Sequence, residues 1–243
     1  MENRKMKLWK KCLILLLVLL CIFVAITTRK VIILSNLDKK VTAYENNNKN
    51  IYIKTLFNFS NYTSEMKRFI KDDVDKMVLE KTDINGNKTK IIQITYPTKR
   101  KIFTEINGNK VMNVYEEAAA VRGSHIENST TASYTTIMNF AYSINLPERV
   151  LNSLVTKIKL VEIDGKKCYE LSSLFNTNFL YDQNTTKLSI YVEKDTGLPV
   201  KMIQDTNENN DIQKNITIYE YKFDVVTDAD MQEPDNSEYK LQK

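Results

Sequence analysis

Apolar and polar residues follow three different rhythms along this chain. From Cys12 to Ile26 there is none, because every residue is apolar. Such a run has no polar side to turn toward water. Residues 12–28 reach roughly 25 Å as a helix, at ~1.5 Å per residue, the short end of a membrane span. Arg29 and Lys30 close the run, and Leu37, Val41 and Tyr44 then predict a short helix over 35–50. From Ile51 the period becomes two. Asn85-Gly86, Asn107-Gly108 and Asp164-Gly165 each separate two β-prone runs. They predict hairpins of 76–82 with 89–96, 101–106 with 110–115, and 157–163 with 166–171, each around a two-residue turn. A fourth pairs 187–193 with 199–205 around Asp195-Thr196-Gly197. In the last strand, 217–225, Tyr219, Tyr221, Phe223 and Val225 alternate with Ile218, Glu220, Lys222 and Asp224. One face of that strand is dry and the other mostly charged.

The period switches once more between the second and third hairpins. Over 132–154, Ile137, Met138, Phe140, Ala141, Ile144, Val150, Leu151 and Leu154 recur at spacings of three and four. This is an amphipathic helix, broken at Pro147 and too short in either half to form its own core. It is expected to lie on the sheet. An antiparallel sheet with a dry face under such a helix has two uses. It can hold an apolar ligand, with Ile137, Phe140, Ile144 and Leu151 as lining and Pro147 as a hinge, or the same surfaces can close into a filled core. The predicted division is a basic leader at 1–11, an anchor at 12–28, an extracytoplasmic domain at 35–226 and a loosely held polar tail at 227–243.

Charge fixes the expected orientation. Arg4, Lys5, Lys7, Lys10 and Lys11 precede the apolar run, so the positive-inside bias keeps the Met1 end cytoplasmic and places the rest outside, on a single-pass membrane protein. A cleaved signal ending near Ala25 and Thr27, or a lipoprotein signal at Cys21, is the alternative. The formal net charge of +5 belongs to this leader. Residues 1–30 hold seven basic side chains and one acidic, leaving 28 and 29 for the remainder. No basic footprint for nucleic acid is left.

Candidate chemistry is sparse. Cys168 is the one cysteine beyond the apolar run and reads as a buried strand residue. His125 is the only histidine, without a second to share a metal. Four of the five glycines sit in hairpin turns, so no phosphate-cradling loop remains. No catalytic residue, metal ligand or cofactor is expected. A hydrolase would have to rest on His125 or on the carboxylates of Asp72 and Asp73.

The run Leu188-Ser189-Ile190-Tyr191-Val192-Glu193-Lys194-Asp195-Thr196-Gly197-Leu198-Pro199-Val200 resembles a stretch common in LolA-like proteins, where a strand ends in such a turn and the next strand follows. Tyr219-Glu220-Tyr221-Lys222-Phe223-Asp224-Val225, then Ala229 to Pro234, is similar to that family's closing strand and its acidic, proline-bearing exit. The resemblance implies a mainly β (α+β) fold. It is an open antiparallel half-barrel sheet with helices in its concave face, here preceded by one N-terminal transmembrane helix. It further implies a non-enzymatic envelope protein that binds acyl chains of lipids or lipoproteins, or serves as a sensor or scaffold. A tethered chain departs from a freely shuttling carrier. Tethered or lipidated Gram-positive relatives include the germination lipoprotein GerS, a weaker similarity that points instead to a cell-wall enzyme as partner. No ligand-contacting residue is carried over.

Overall fold

The computed structural model describes residues 2–47, 49–59, 62–116, 154, 156–173, 185–208 and 211–242. One helix, α1 (Glu2–Asn47), opens the chain. It is continuous where the sequence predicts an anchor and a separate helix. Its 46 residues measure about 69 Å at ~1.5 Å each. Arg29 and Lys30 do not break it, because no glycine or proline lies between Glu2 and Asn47 and a helix tolerates charges that reach solvent or a partner. Lys30 has such a partner, donating from Nζ to the carbonyl of Thr156 at 2.7 Å.

α1 changes surroundings along its length. From Trp9 to Ile26 its side chains are exposed, and among the described residues it is the one helix long and apolar enough to cross a membrane, over Trp9–Val41. Beyond Lys30 a stripe turns inward. Leu34, Leu37 and Val41 are 2%, 2% and 4% exposed and pack with Leu171, Leu188, Ile190 and Val192. Burial of one such side chain is worth about 1.5–3 kcal/mol, enough to dock this half of the helix firmly.

The strands are β1 (Asn50–Asn58), β2 (Tyr62–Lys71), β3 (Val74–Asp83), β4 (Lys88–Thr95), β5 (Lys99–Ile106), β6 (Asn109–Glu116), β7 (Thr156–Ile163), β8 (Lys166–Ser173), β9 (Thr185–Glu193), β10 (Pro199–Glu208), β11 (Asp211–Phe223) and β12 (Lys240–Leu241). They form one open sheet in the order β12-β6-β5-β4-β3-β2-β1-β11-β10-β9-β8-β7. Every pairing is antiparallel except β12 on β6. The open sheet with a helix on one face is therefore present as predicted. The broken helix over 132–154 falls outside the described residues except for Leu154.

The four predicted hairpins are found, and two of their turns are of the predicted kind. Asn107-Gly108 and Asp164-Gly165 both have positive φ at both positions, the geometry that follows strand twist. The turn at Asn85-Gly86 is longer, running from Ile84 to Asn87. There Asp83 Oδ1 accepts from the backbone N–H of Asn85 and of Asn87, which favours the wider loop.

The tail contradicts the expectation of a loose end. It runs as a strap over the back of β2–β6, on the side opposite α1. Lys71 pairs with Asp228, and Lys76 donates to the carbonyls of Asp230 and Gln232. Glu233 receives Lys101 at 2.6 Å and the Tyr96 hydroxyl, and Lys110 pairs with Glu238. A short 3₁₀ turn, Asn236–Glu238, then sets the Tyr239 ring edge-on to Phe103 at 5.1 Å, beside buried Ile92 and Ile94. Replacing Tyr239 with Ala is expected to cost about 1–3 kcal/mol, for the lost apolar area and the ring pair. Thermal unfolding of the full chain in detergent reads this, and an unchanged midpoint contradicts it.

The strap is also expected to respond to acid. Burial pushes the Glu233 carboxyl up, but the hydrogen bonds from Lys101 and Tyr96 outweigh it and hold it below the ordinary glutamate value. Asp230 is lowered by the Thr227 hydroxyl and amide, and Asp235 by the Ser237 amide and hydroxyl. Carboxyls lowered on folding stabilise above their unfolded values, about 4, and lose that contribution as pH falls through the folded ones. Hydrogen-exchange protection of the Gln242 amide, which donates to Met112, should fall as pH drops below the ordinary carboxylate range, about 4. Constant protection through that drop contradicts the assignment.

Candidate functional site

Strand register assigns each side chain to one of two faces. On the front, with α1, lie Ile51 and Ile53 of β1, Ile70 of β2 and the rings of Tyr219, Tyr221 and Phe223 of β11. Tyr44 of α1 meets Phe223 at 5.4 Å. α1 thus fills the front of β8–β11. Further along the same face the row Met66–Leu79–Ile91 crosses β2–β4, and in the next row Met77 of β3 and Ile102 of β5 flank Gln93 of β4. The five apolar side chains are half-buried and lie outside the α1 cluster. Among the described residues they are the apolar part of this face that α1 does not cover.

Besides Gln93, two groups of polar residues interrupt this face. Arg68 donates from Nε and Nη2 to the two oxygens of Asp75 at 2.8 and 2.6 Å, with side chains 5% and 11% exposed. The fork-to-fork geometry directs both charges at each other. Nearby, Thr206, Asn215, Thr217, Thr55 and Ser64 form a buried polar stripe across β10, β11, β1 and β2. Asn215 donates to the Thr206 hydroxyl at 3.2 Å, while Asn215 Oδ1 and Thr55 Oγ1 have no hydrogen-bond partner. Each unmet buried group costs about 1–3 kcal/mol. Burial also pushes the Tyr219 hydroxyl up to about 12, so it stays a neutral donor.

Reactive chemistry is not assembled. Among the described residues no three His, Cys, Asp or Glu side chains come together to hold a metal. Burial, helped by the Glu193 charge, pushes the Cys168 thiol up and away from the nucleophilic thiolate. Asp72 and Asp73 stand exposed in the β2–β3 turn, with Asp72 at φ 52°, not in a cleft. His125 and the predicted lining residues Ile137, Phe140, Ile144 and Leu151 lie outside the described residues. A hollow of about 660 Å³ lies at the β3–β4 and β5–β6 tips. It is lined by Glu80, Lys81, Lys88, Lys90 and Glu105 and is unsuited to an acyl chain.

No protein-family model matches the chain, and no curated protein matches it either. Among solved structures, an uncharacterized conserved protein from Thermus thermophilus aligns at 9% identity and a TM-score of 0.43, over 86% of this chain and 98% of that one. MucB, in complex with MucA(peri), aligns at 12% and 0.34, over 86% and 62%. A LolA superfamily protein from Nitrosomonas europaea aligns at 8% and 0.25, over 76% and 89%. Scores this low carry no meaning for binding, and the fold stands on the strand order and packing above.

The Arg68–Asp75 pair is absent from the sequence-based expectations although a signal for it exists. The two residues flank the Asp72-Asp73 turn of β2–β3, and a tight hairpin there puts them on one face, two residues out of direct register. The open apolar side chains needed the same placement of β2.

Proposed function

We propose that this chain is a non-enzymatic, membrane-anchored envelope protein that holds an acyl chain of a lipid or lipoprotein against the front of its sheet. The observation that carries the reading is the half-buried apolar row Met66–Leu79–Ile91, with Met77 and Ile102 on either side of Gln93 in the next row, beside a helix already filling the other half of that face. The LolA-like run from Leu188 to Pro234 supports it independently. Ile137, Phe140, Ile144 and Leu151 would close over the ligand from the amphipathic segment. The basic leader favours the outer side of the membrane for this domain.

Mass spectrometry of lipids retained by the full chain tests the reading against Leu79→Glu and Ile91→Glu. Wild type should keep about one more acyl lipid than either variant, because a charge in an apolar site is costly. Equal retention contradicts it. A second reading, a GerS-like interaction module regulating a cell-wall enzyme, is favoured by strand β7. It ends the sheet with Leu160 58% exposed, an edge to which a partner strand can add.

A further inference from the structure

The two ends of the sheet differ in chemistry, and α1 leaves at only one of them. Lys30 meets the carbonyl of Thr156 at the start of β7, while ten residues later Lys40 reaches the carbonyl of Lys194 beyond β9. The helix therefore runs along the strands, and its exposed apolar part departs from the Thr156 end. Register from Thr156 through Ser173, Leu188 and Gln204 to Asn215 identifies which turns share that end. They are the β1–β2, β3–β4, β5–β6 and β10–β11 turns.

These turns expose apolar side chains. Ile84 is 75% exposed in the β3–β4 turn, Ile106 is 49% exposed at the close of β5, and Ile212 is 72% exposed at the start of β11. Asn85, Asn87 and Asn107 share the first two turns with them, between Asp83 and Lys88 and between Glu105 and Lys110. The opposite turns carry Asp72, Asp73, Asp164 and Asp195. Heights agree as well. Ile212 lies three residues past Asn215, about 10 Å along a strand. Phe23 lies seven residues before Lys30, about 10 Å along the helix. Ile212 is thus level with an exposed apolar turn of α1.

We propose that the hairpin tips at this end rest on the lipid surface of the bilayer that α1 crosses, with Ile84, Ile106 and Ile212 entering its interface and the β2–β3, β7–β8 and β9–β10 turns directed away. The proposal rests on α1 spanning a membrane, not on the acyl-binding reading. Apolar exposure at the end from which α1 departs selects this orientation. The open front of the sheet then stands with its lower rim on lipid, the source of an acyl ligand.

The test uses the full chain in vesicles whose lipids carry brominated acyl chains, which quench nearby tryptophan. Trp9 is the single native tryptophan and reports insertion of α1. In a Trp9→Phe background, tryptophan is placed singly at Ile84, Ile106, Ile212 or, at the far end, Asp73, all exposed positions that tolerate substitution. Quenching at the three tips is expected to exceed that at position 73 roughly two-fold or more, as for a side chain 5–10 Å into the interface. Quenched Trp9 with tips no more quenched than position 73 overturns the proposal alone. Unquenched Trp9 overturns the spanning helix and the proposal together.

Discussion

Asp75→Ala is expected to destabilise the domain by about 3–5 kcal/mol, since it strands a buried guanidinium. Arg68 is 4% exposed and directs two donors at the Asp75 carboxylate. Taking both charges out of water has already cost much of what their attraction returns, so the pair is a poor source of stability while the loss of one partner is severe. The matching result is that Arg68→Met combined with Asp75→Leu recovers most of the loss, because no charge is left buried. Thermal or denaturant unfolding of the full chain in detergent distinguishes the two. A mild Asp75→Ala, or a double variant as unstable as the single, contradicts a buried and mutually dependent pair.

Gly197→Ala is expected to cost about 3–4 kcal/mol, against about 1 kcal/mol for Gly108→Ala. Both glycines have positive φ, 78° and 86°, so both variants carry backbone strain. Only Gly197 lies under the helix. A Cβ there would sit 2.7 Å from the Leu37 carbonyl oxygen, 2.9 Å from Val41 Cγ2 and 3.2 Å from Lys40 Cβ, whereas Gly108 has nothing within 4 Å. The difference between the variants isolates the close approach of α1 to the β9–β10 turn. Because α1 is one rod from its apolar run to the sheet, loosening this contact also frees the domain to swing relative to that run. Equal midpoints for the two variants contradict the close approach.

What was legible in the sequence is local. Asn-Gly and Asp-Gly turns marked the hairpins because positive φ is costly for other residues, and the apolar run from Cys12 to Ile26 marked the membrane helix. The continuity of α1 was legible too, in the absence of glycine and proline up to Asn47, but the charges of Arg29 and Lys30 read as a stop. The strap was not legible. Its ties join residues far apart, such as Lys101 with Glu233 and Tyr96 with Glu233, and a polar segment shows no local sign of distant lysines. The pairing of β1 with β11 and of β12 with β6 was hidden for the same reason. The candidate site follows that division. Its apolar side chains depend on hairpins that turn signals reveal, while its polar stripe crosses β10, β11, β1 and β2 and needs the long-range pairing.

Photocrosslinking from either side of one strand tests the acyl-binding face most directly. A photoreactive phenylalanine analogue at Ile91 faces front, and the same analogue at the adjacent Lys90 faces back. Illumination of intact membranes carrying the full chain should attach acyl lipid at position 91 and not at position 90. Lipid adducts at both positions alike, or at neither, would contradict a front face built to hold an acyl chain.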